Sequence, residues 1–300
     1  MPIASLIAAL SLGAQAAPPV DDPLTRPIAA NPDWLRPQTP VRIYGDAYYV
    51  GTASLSLVLI DTGDGLILID GALPQTVGMI EANVRRLGFR VEDIRYILNT
   101  EAHFDHSGGI AALARDSGAQ VVASRAGAEA LRAGRVLHED PQASGLPDMP
   151  AAPNARGLAE GESLTLGTVT VRMIPTPGHT PGSASWSWTS CEGEACKTVV
   201  FASSLNAVAA DPFTYTGHPE VTATLRASID RVDHLECDIL ISAHPDNSGG
   251  DRKLAAVEAG ATTPNPFVDP DACHAYAQRA RDGLSARLAR EAETAPRISP

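Results

Sequence analysis

The sequence predicts an α/β sandwich built as one large domain, and three observations predict it. No linker-like stretch divides the 300 residues, and the two halves carry similar strand and helix patterns, which suits one layered domain better than two. The apolar fraction of 44% is ordinary for a globular chain. Three apolar strand candidates each lead into a loop that bears histidine: His103 and His106, then His179, then His244. A site assembled on one edge of a sheet scaffold is built in this way.

Taken in order, residues 1–16 read as a signal peptide. Ile3 to Leu12 form an apolar core and Ala14-Gln-Ala16 has the small-x-small form of a cleavage site, although no Lys or Arg precedes Arg26. The mature chain is expected to start near Ala17, with a proline-rich extended arm over 17–40 that packs Trp34 near the site entrance. The main domain then spans 41–300. Strands are expected at 41–50, 54–61 and 65–70, followed by a helix over 72–87 that Gly88 stops. Beyond the loop at 99–109, residues 109–117 read as helix and 121–124 as strand. Pro141, Pro147, Pro150 and Pro153 make 138–156 a long loop. Strands resume at 163–174, 183–189 and 197–202, and a helix over 219–234 precedes a strand at 238–242. Asp269 and Pro270 cap a final helix to about Glu293, whose Cys273, Tyr276, Ala280, Leu284 and Leu288 share one face.

The most informative stretch is Asn99-Thr-Glu-Ala-His-Phe-Asp-His-Ser-Gly-Gly109. Glu101, His103, Asp105 and His106 place four potential metal ligands within six residues, directly after the apolar run 94–98. Imidazole nitrogen and carboxylate oxygen are what zinc accepts where a position is kept open for water. A polar loop with a helix cap would explain the cluster alone. It does not explain His179, held in the rigid Pro177-Gly-His-Thr-Pro-Gly182 loop, or His244, directly after an apolar strand.

These residues resemble the metallo-β-lactamase superfamily, whose pattern is H-x-H-x-D-H followed by two distant histidines. The resemblance is closer to the third β-lactamase subclass and extends over nearly the whole chain. It includes Tyr48-Tyr-Val-Gly51, Gly65-Leu-Ile-Leu-Ile-Asp-Gly71, residues 80–89, the 177–182 loop, Trp186-Ser-Trp188, Ser204-Leu205 and Cys237-Asp-Ile-Leu240. It implies an αββα sandwich with two zinc ions, Glu101, His103 and His179 holding the first and Asp105, His106 and His244 the second. Glu101 stands where the family usually has histidine, although some members carry Glu there. Glu101 is expected to weaken the first site, and its added negative charge to make zinc-bound water less acidic. By the same resemblance, Asp70 orients a ligand histidine from behind, and the loop at 138–156 borders the active site. Ser204 holds the substrate carboxylate, with Asn206 assisting from a position where Ser or Thr is more usual.

The resemblance implies hydrolysis of the β-lactam amide by water activated between the metals. No nucleophilic Ser elbow is present. Asp105 is a ligand first and a proton shuttle second. The alternatives are an exported metal-dependent hydrolase of another ester, thioester or lactone, or a weakly active metal-binding member of the fold. A thioesterase of the glyoxalase II kind normally contributes a bridging aspartate from the segment at 201–206, which has none here.

Charge and cysteine content narrow the setting. A net charge of −12 argues against nucleic acid as a partner. No segment approaches the roughly 18 apolar residues needed to span a bilayer. A small-molecule β-lactam and a monomer are expected, in the periplasm. Cys191 and Cys196 flank what reads as a hairpin turn and could bridge locally. The resemblance implies that Cys237 pairs with Cys273. No C-x-x-C pair supports a zinc knuckle.

Overall fold

The computed structural model describes residues 25–294; the expected signal peptide and most of the expected arm lie outside them. Thr25–Ala30 is a short helix, α1. A 3-10 turn at Pro32–Leu35 follows. The described part of the arm is therefore helical at 25–30 and 32–35 where an extended chain was expected, and non-helical over 36–40, where Pro37 bridges Thr52. Pro27 and Pro32 fall in the opening turns of these two elements, where a missing N–H costs nothing.

The first sheet takes seven strands in sequence order. They are β1 (Val41–Tyr44), β2 (Ala47–Tyr49), β3 (Val58–Asp61), β4 (Leu66–Ile69), β5 (Ile94–Leu98), β6 (Gln120–Ser124) and β7 (Arg156–Leu158). Pairing is antiparallel from β1 to β4 and parallel from β4 to β7. Parallel neighbours need crossovers, supplied by α2 (Val77–Arg86), α3 (Phe104–Ser107), α4 (Ile110–Ser117) and α5 (Arg125–Ala133). The second sheet has the order β12-β11-β10-β9-β8. Its strands are β8 (Ser163–Leu166), β9 (Val169–Pro175), β10 (Ala184–Glu192), β11 (Ala195–Ala202) and β12 (Ile239–Ser242). Between and after the last two run α6 (Pro219–Asp233), α7 (Gly250–Glu258) and α8 (Ala272–Thr294).

The sheets pack face to face over one core. Ile43, Ile60, Ile67 and Ile69 of the first meet Val171, Met173, Trp186, Phe201 and Ile241 of the second. On the outer side of the second sheet, Val200 and Leu240 pack with Leu225 and Ile229 of α6 and with Tyr276, Ala277 and Leu284 of α8. Helices α4 and α5 lie against β5, β6 and β7 of the first sheet. The result is the expected αββα sandwich.

Several boundaries differ from the sequence reading. The run expected at 41–50 is a hairpin, because Gly45 turns at φ +52° and packs so close to Ser190 and Cys191 that a Cβ would collide with both. Likewise 163–174 divides at Gly167 into β8 and β9. The strand expected from 54 begins at 58, since Thr52–Leu55 closes a turn through Thr52 N–H to Leu55 O. Pro74 opens a 3-10 turn that delays the helix expected from 72 until Val77. Helices α5 and α7 fall in stretches where no helix was expected. Cys191–Cys196 bridges the β10–β11 hairpin and Cys237–Cys273 ties the entrance of β12 to the first turn of α8.

Candidate metal centre

One edge of the sandwich collects the loops that leave the ends of β4, β5, β9, β11 and β12. Apolar strand interiors end there on polar residues: Asp70, Asn99, Thr176, Ser203 and Ala243-His244. Asp70 adopts a positive φ of 65°, strain of the kind held at functional sites. The loop after β5 curls back against the loop after β4. Gly71 N–H donates to His106 O at 2.8 Å, and a Cβ on Gly109 would lie 2.2 Å from Gly71 O, so the approach demands glycine. Helix α3 then projects Asp105 and His106 into the edge, with Ser107 Oγ donating to His103 O at 2.6 Å.

The six expected ligands converge as two groups. Glu101, His103 and His179 offer ligand atoms within 4.8 Å of one another, and so do Asp105, His106 and His244. All are buried except His244, which is partly exposed. The groups adjoin: His106 Nε2 lies 3.1 Å from both Glu101 Oε1 and His244 Nε2. Asp105 Oδ2 lies 3.4 Å from the Nε2 atoms of His106 and His244.

Outer partners decide which ring nitrogen faces inward. His179 Nδ1 donates to Asn206 O at 3.0 Å and His244 Nδ1 to Ser54 O at 3.2 Å, so each presents Nε2. His103 is reversed: its Nε2 meets Asp140 Oδ2 at 3.0 Å, which turns Nδ1 inward. With His106 Nε2, four imidazole nitrogens and two carboxylates thus converge on one site. Such an arrangement is costly without cations, and the donor set fits metal ions well.

Protonation tells the same story. Burial opposes ionisation of Glu101, yet the imidazoles of His106, His179 and His103 bring it down to about 2. Burial likewise opposes ionisation of Asp105, and His106 with His244 holds it below the usual carboxylate range. Burial disfavours the His244 imidazolium, but the adjacent Asp105 raises it to about 9. A proton there does what a cation would do, so metal binding is coupled to proton release.

Two of the expected site residues bond other partners in this structure. Asp70 Oδ2 lies 3.9 Å from His106 Nδ1, beyond hydrogen-bonding distance. Its carboxylate instead accepts from Thr100 N–H, the Thr100 hydroxyl and Asn99 Nδ2, at 2.7, 2.6 and 3.1 Å. It fastens the start of the loop that follows β5. Ser204 was expected to face a substrate carboxylate. It is buried, and its hydroxyl and N–H both donate to Glu101, each at 2.7 Å. Asn206 is partly exposed, and its Oδ1 has no partner.

The sequence reading missed Asp140 and Gln142, whose Nε2 lies 3.3 Å from His179 Nε2. Both sit in the proline-rich loop, where local pattern announces irregular chain but not which polar residue turns inward. Trp34 lies where expected, its ring 6.2 Å from that of His244 and 5.8 Å from that of Phe104.

Comparison with known proteins agrees with this geometry. A subclass B3 metallo-beta-lactamase described as the first with an active-site glutamic acid is 50% identical, with a TM-score of 0.81 over 91% of this chain and 99% of that one. MEM-A1, a subclass B3 metallo-beta-lactamase from a soil metagenome library, is 45% identical, with a TM-score of 0.84 over 88% of this chain and 100% of that one. The hydroxyacylglutathione hydrolase of Anaeromyxobacter dehalogenans is 39% identical over 94 residues, which is 31% of this chain and 29% of that enzyme. The curated relatives first matched are covered over only 29% to 54% of their own length. Residues 51–244 match the family model of the metallo-beta-lactamase superfamily, and they hold all six converging side chains. The chain belongs to the metallo-beta-lactamase superfamily.

Proposed function

We propose that the protein hydrolyses the amide bond of β-lactam antibiotics with two zinc ions, as a periplasmic monomer released from its signal peptide. One observation carries this reading. Likeness to a B3 enzyme with an active-site glutamic acid extends over 91% of the chain, and Glu101 sits in a ligand group with His103 and His179.

Glu101, His103 and His179 would hold the first zinc, and Asp105, His106 and His244 the second. Zinc bound there would supply Lewis acidity, which activates water at neutral pH and polarises a carbonyl. The protein orients the rest. Asn206 O and Ser54 O fix the rings of His179 and His244, and Asp140 fixes His103. Asp105 would be a ligand first and, secondarily, the carboxylate that takes a proton from the attacking water and returns it to the departing amide nitrogen. No Arg or Lys enters the motif-bearing loops, so neutral donors receive the substrate carboxylate. Asn206 is partly exposed, while Ser204 is buried and shares its hydroxyl with Glu101. Trp34 and Gln142 border the approach to the two groups.

Nitrocefin turnover measured with metal content tests the proposal. Hydrolysis should disappear with a chelator and return with zinc. A protein that takes up two zinc ions yet turns over no penicillin, cephalosporin or carbapenem would overturn it. The partial match to a hydroxyacylglutathione hydrolase makes a thioester the informative second substrate. The glyoxalase-like bridging aspartate is absent, with Ser203 and Ser204 in that segment.

A further inference from the structure

Two buried phenols stand behind the two ligand groups in matching ways. Tyr276, on α8, donates its hydroxyl to Ser203 O at 2.9 Å and accepts from Leu205 N–H at 3.2 Å. It therefore brackets Ser204 on both sides. The segment it grips supplies two supports to the first group: Ser204 to Glu101, and Asn206 O to His179 Nδ1. Among the described residues, that segment makes no hydrogen bond to His106 or His244. Cys273, one helical turn before Tyr276, is tied to Cys237, so the phenol projects from an anchored helix end.

Tyr49, at the end of β2, repeats the arrangement for the second group. Its hydroxyl lies 2.7 Å from Thr52 O and 3.1 Å from Leu55 O, closing the turn between them. Thr52 Oγ1 accepts from Leu55 N–H at 2.9 Å inside the same turn. From that turn Ser54 O receives His244 Nδ1. Burial pushes both phenols upward, so both keep their protons and can donate.

We infer that Tyr49 and Tyr276 are positioning residues, each fixing the backbone that orients one ligand histidine, so that each phenol governs the metal affinity of one group. This rests on the reading of the two groups as metal sites. Neither tyrosine touches a ligand atom. Each acts through a backbone carbonyl that cannot itself be substituted, and support behind ligand histidines typically alters metal affinity about 10- to 100-fold.

The test is a zinc titration followed by long-range proton–nitrogen NMR of the histidine rings, in wild type, Tyr276→Phe, Tyr49→Phe and Tyr44→Phe. Phenylalanine keeps the buried ring and removes only the hydroxyl. Tyr44 is a buried control whose hydroxyl donates to Ala195 O, on the β10–β11 hairpin. In Tyr276→Phe, the midpoints for His103 and His179 should rise about tenfold or more while those for His106 and His244 hold. In Tyr49→Phe the pattern should reverse, and Tyr44→Phe should change neither. Equal shifts of both groups in both variants would mean general loosening and would overturn the inference, as would no shift in either. If wild-type rings do not respond to zinc at all, the metal reading itself fails and this inference with it. Near-UV circular dichroism checks that each variant folds; should Tyr276→Phe not fold, the Tyr49→Phe split alone decides.

Discussion

Ser204 meets Glu101 with two donors, its backbone N–H 2.7 Å from Oε2 and its hydroxyl 2.7 Å from Oε1. Both oxygens of the unusual ligand are thus oriented by one residue. Where a histidine would offer a single acceptor to this pair, a carboxylate offers two. The surroundings suit glutamate.

Ser204→Ala keeps the N–H but removes the hydroxyl. Zinc retention at the first group should fall about tenfold, as for other supports behind a ligand. Asn206→Ala should instead leave zinc in place and raise KM. A lost hydrogen bond to the substrate carboxylate costs roughly 1.5–3 kcal/mol, about ten- to a hundredfold in affinity. Chelator competition and steady-state kinetics on one penicillin and one carbapenem separate the two effects. If Ser204→Ala raises KM more than Asn206→Ala does at saturating zinc, the serine is the principal substrate donor and the assignment reverses.

Asp140 accepts from His103 Nε2 at 3.0 Å and is buried with it. Burial disfavours the His103 imidazolium, but Asp140, with Glu101 and Asp105, more than restores it, raising the ring's affinity for a proton and its strength as a ligand. Asp140→Ala should therefore weaken the first zinc about 10- to 100-fold, and Asp140→Asn, which keeps an acceptor oxygen, should recover part of the loss. Equilibrium dialysis against buffered zinc measures both. Identical affinity in the two variants would leave Asp140 no orienting role.

The disulfides should differ in worth. By the chain-entropy model, closing a loop of 36 residues stabilises by about 4 kcal/mol, whereas closing one of 5 contributes about 2 kcal/mol. Urea unfolding of the Cys237→Ala/Cys273→Ala and Cys191→Ala/Cys196→Ala pairs should show the first losing more. Thiol titration of the denatured, unreduced wild type should find no reactive cysteine. Equal losses from the two pairs would mean that strain or residual unfolded structure outweighs loop length.

Residue chemistry made the ligands legible before the fold was known. Four donors packed between Glu101 and His106 have few other uses, and His179 sits among prolines that fix its place. Strand runs such as 94–98 and 197–202 were legible because parallel and central strands are largely apolar, Arg95 and Lys197 being the charged exceptions. Turns at Gly45 and Gly167 were not, since a glycine inside an apolar run signals a weak strand as readily as a hairpin. Asp140, Tyr49 and Tyr276 were illegible as supports. Asp140 and Tyr276 act across 37 and 73 residues of chain, and the turn that Tyr49 closes meets His244 across 190, through bonds that no local pattern encodes.

Zinc stoichiometry of wild type and Glu101→Gln, dialysed against buffered low zinc, tests the central claim most directly. Gln fills the same space with a neutral amide that ligates zinc poorly. Wild type should hold two zinc ions and lose the one at Glu101 first as free zinc is lowered. Glu101→Gln should retain one zinc and lose most of its nitrocefin hydrolysis. Two equally retained zinc ions in both proteins would show that Glu101 is not a ligand and would contradict the account.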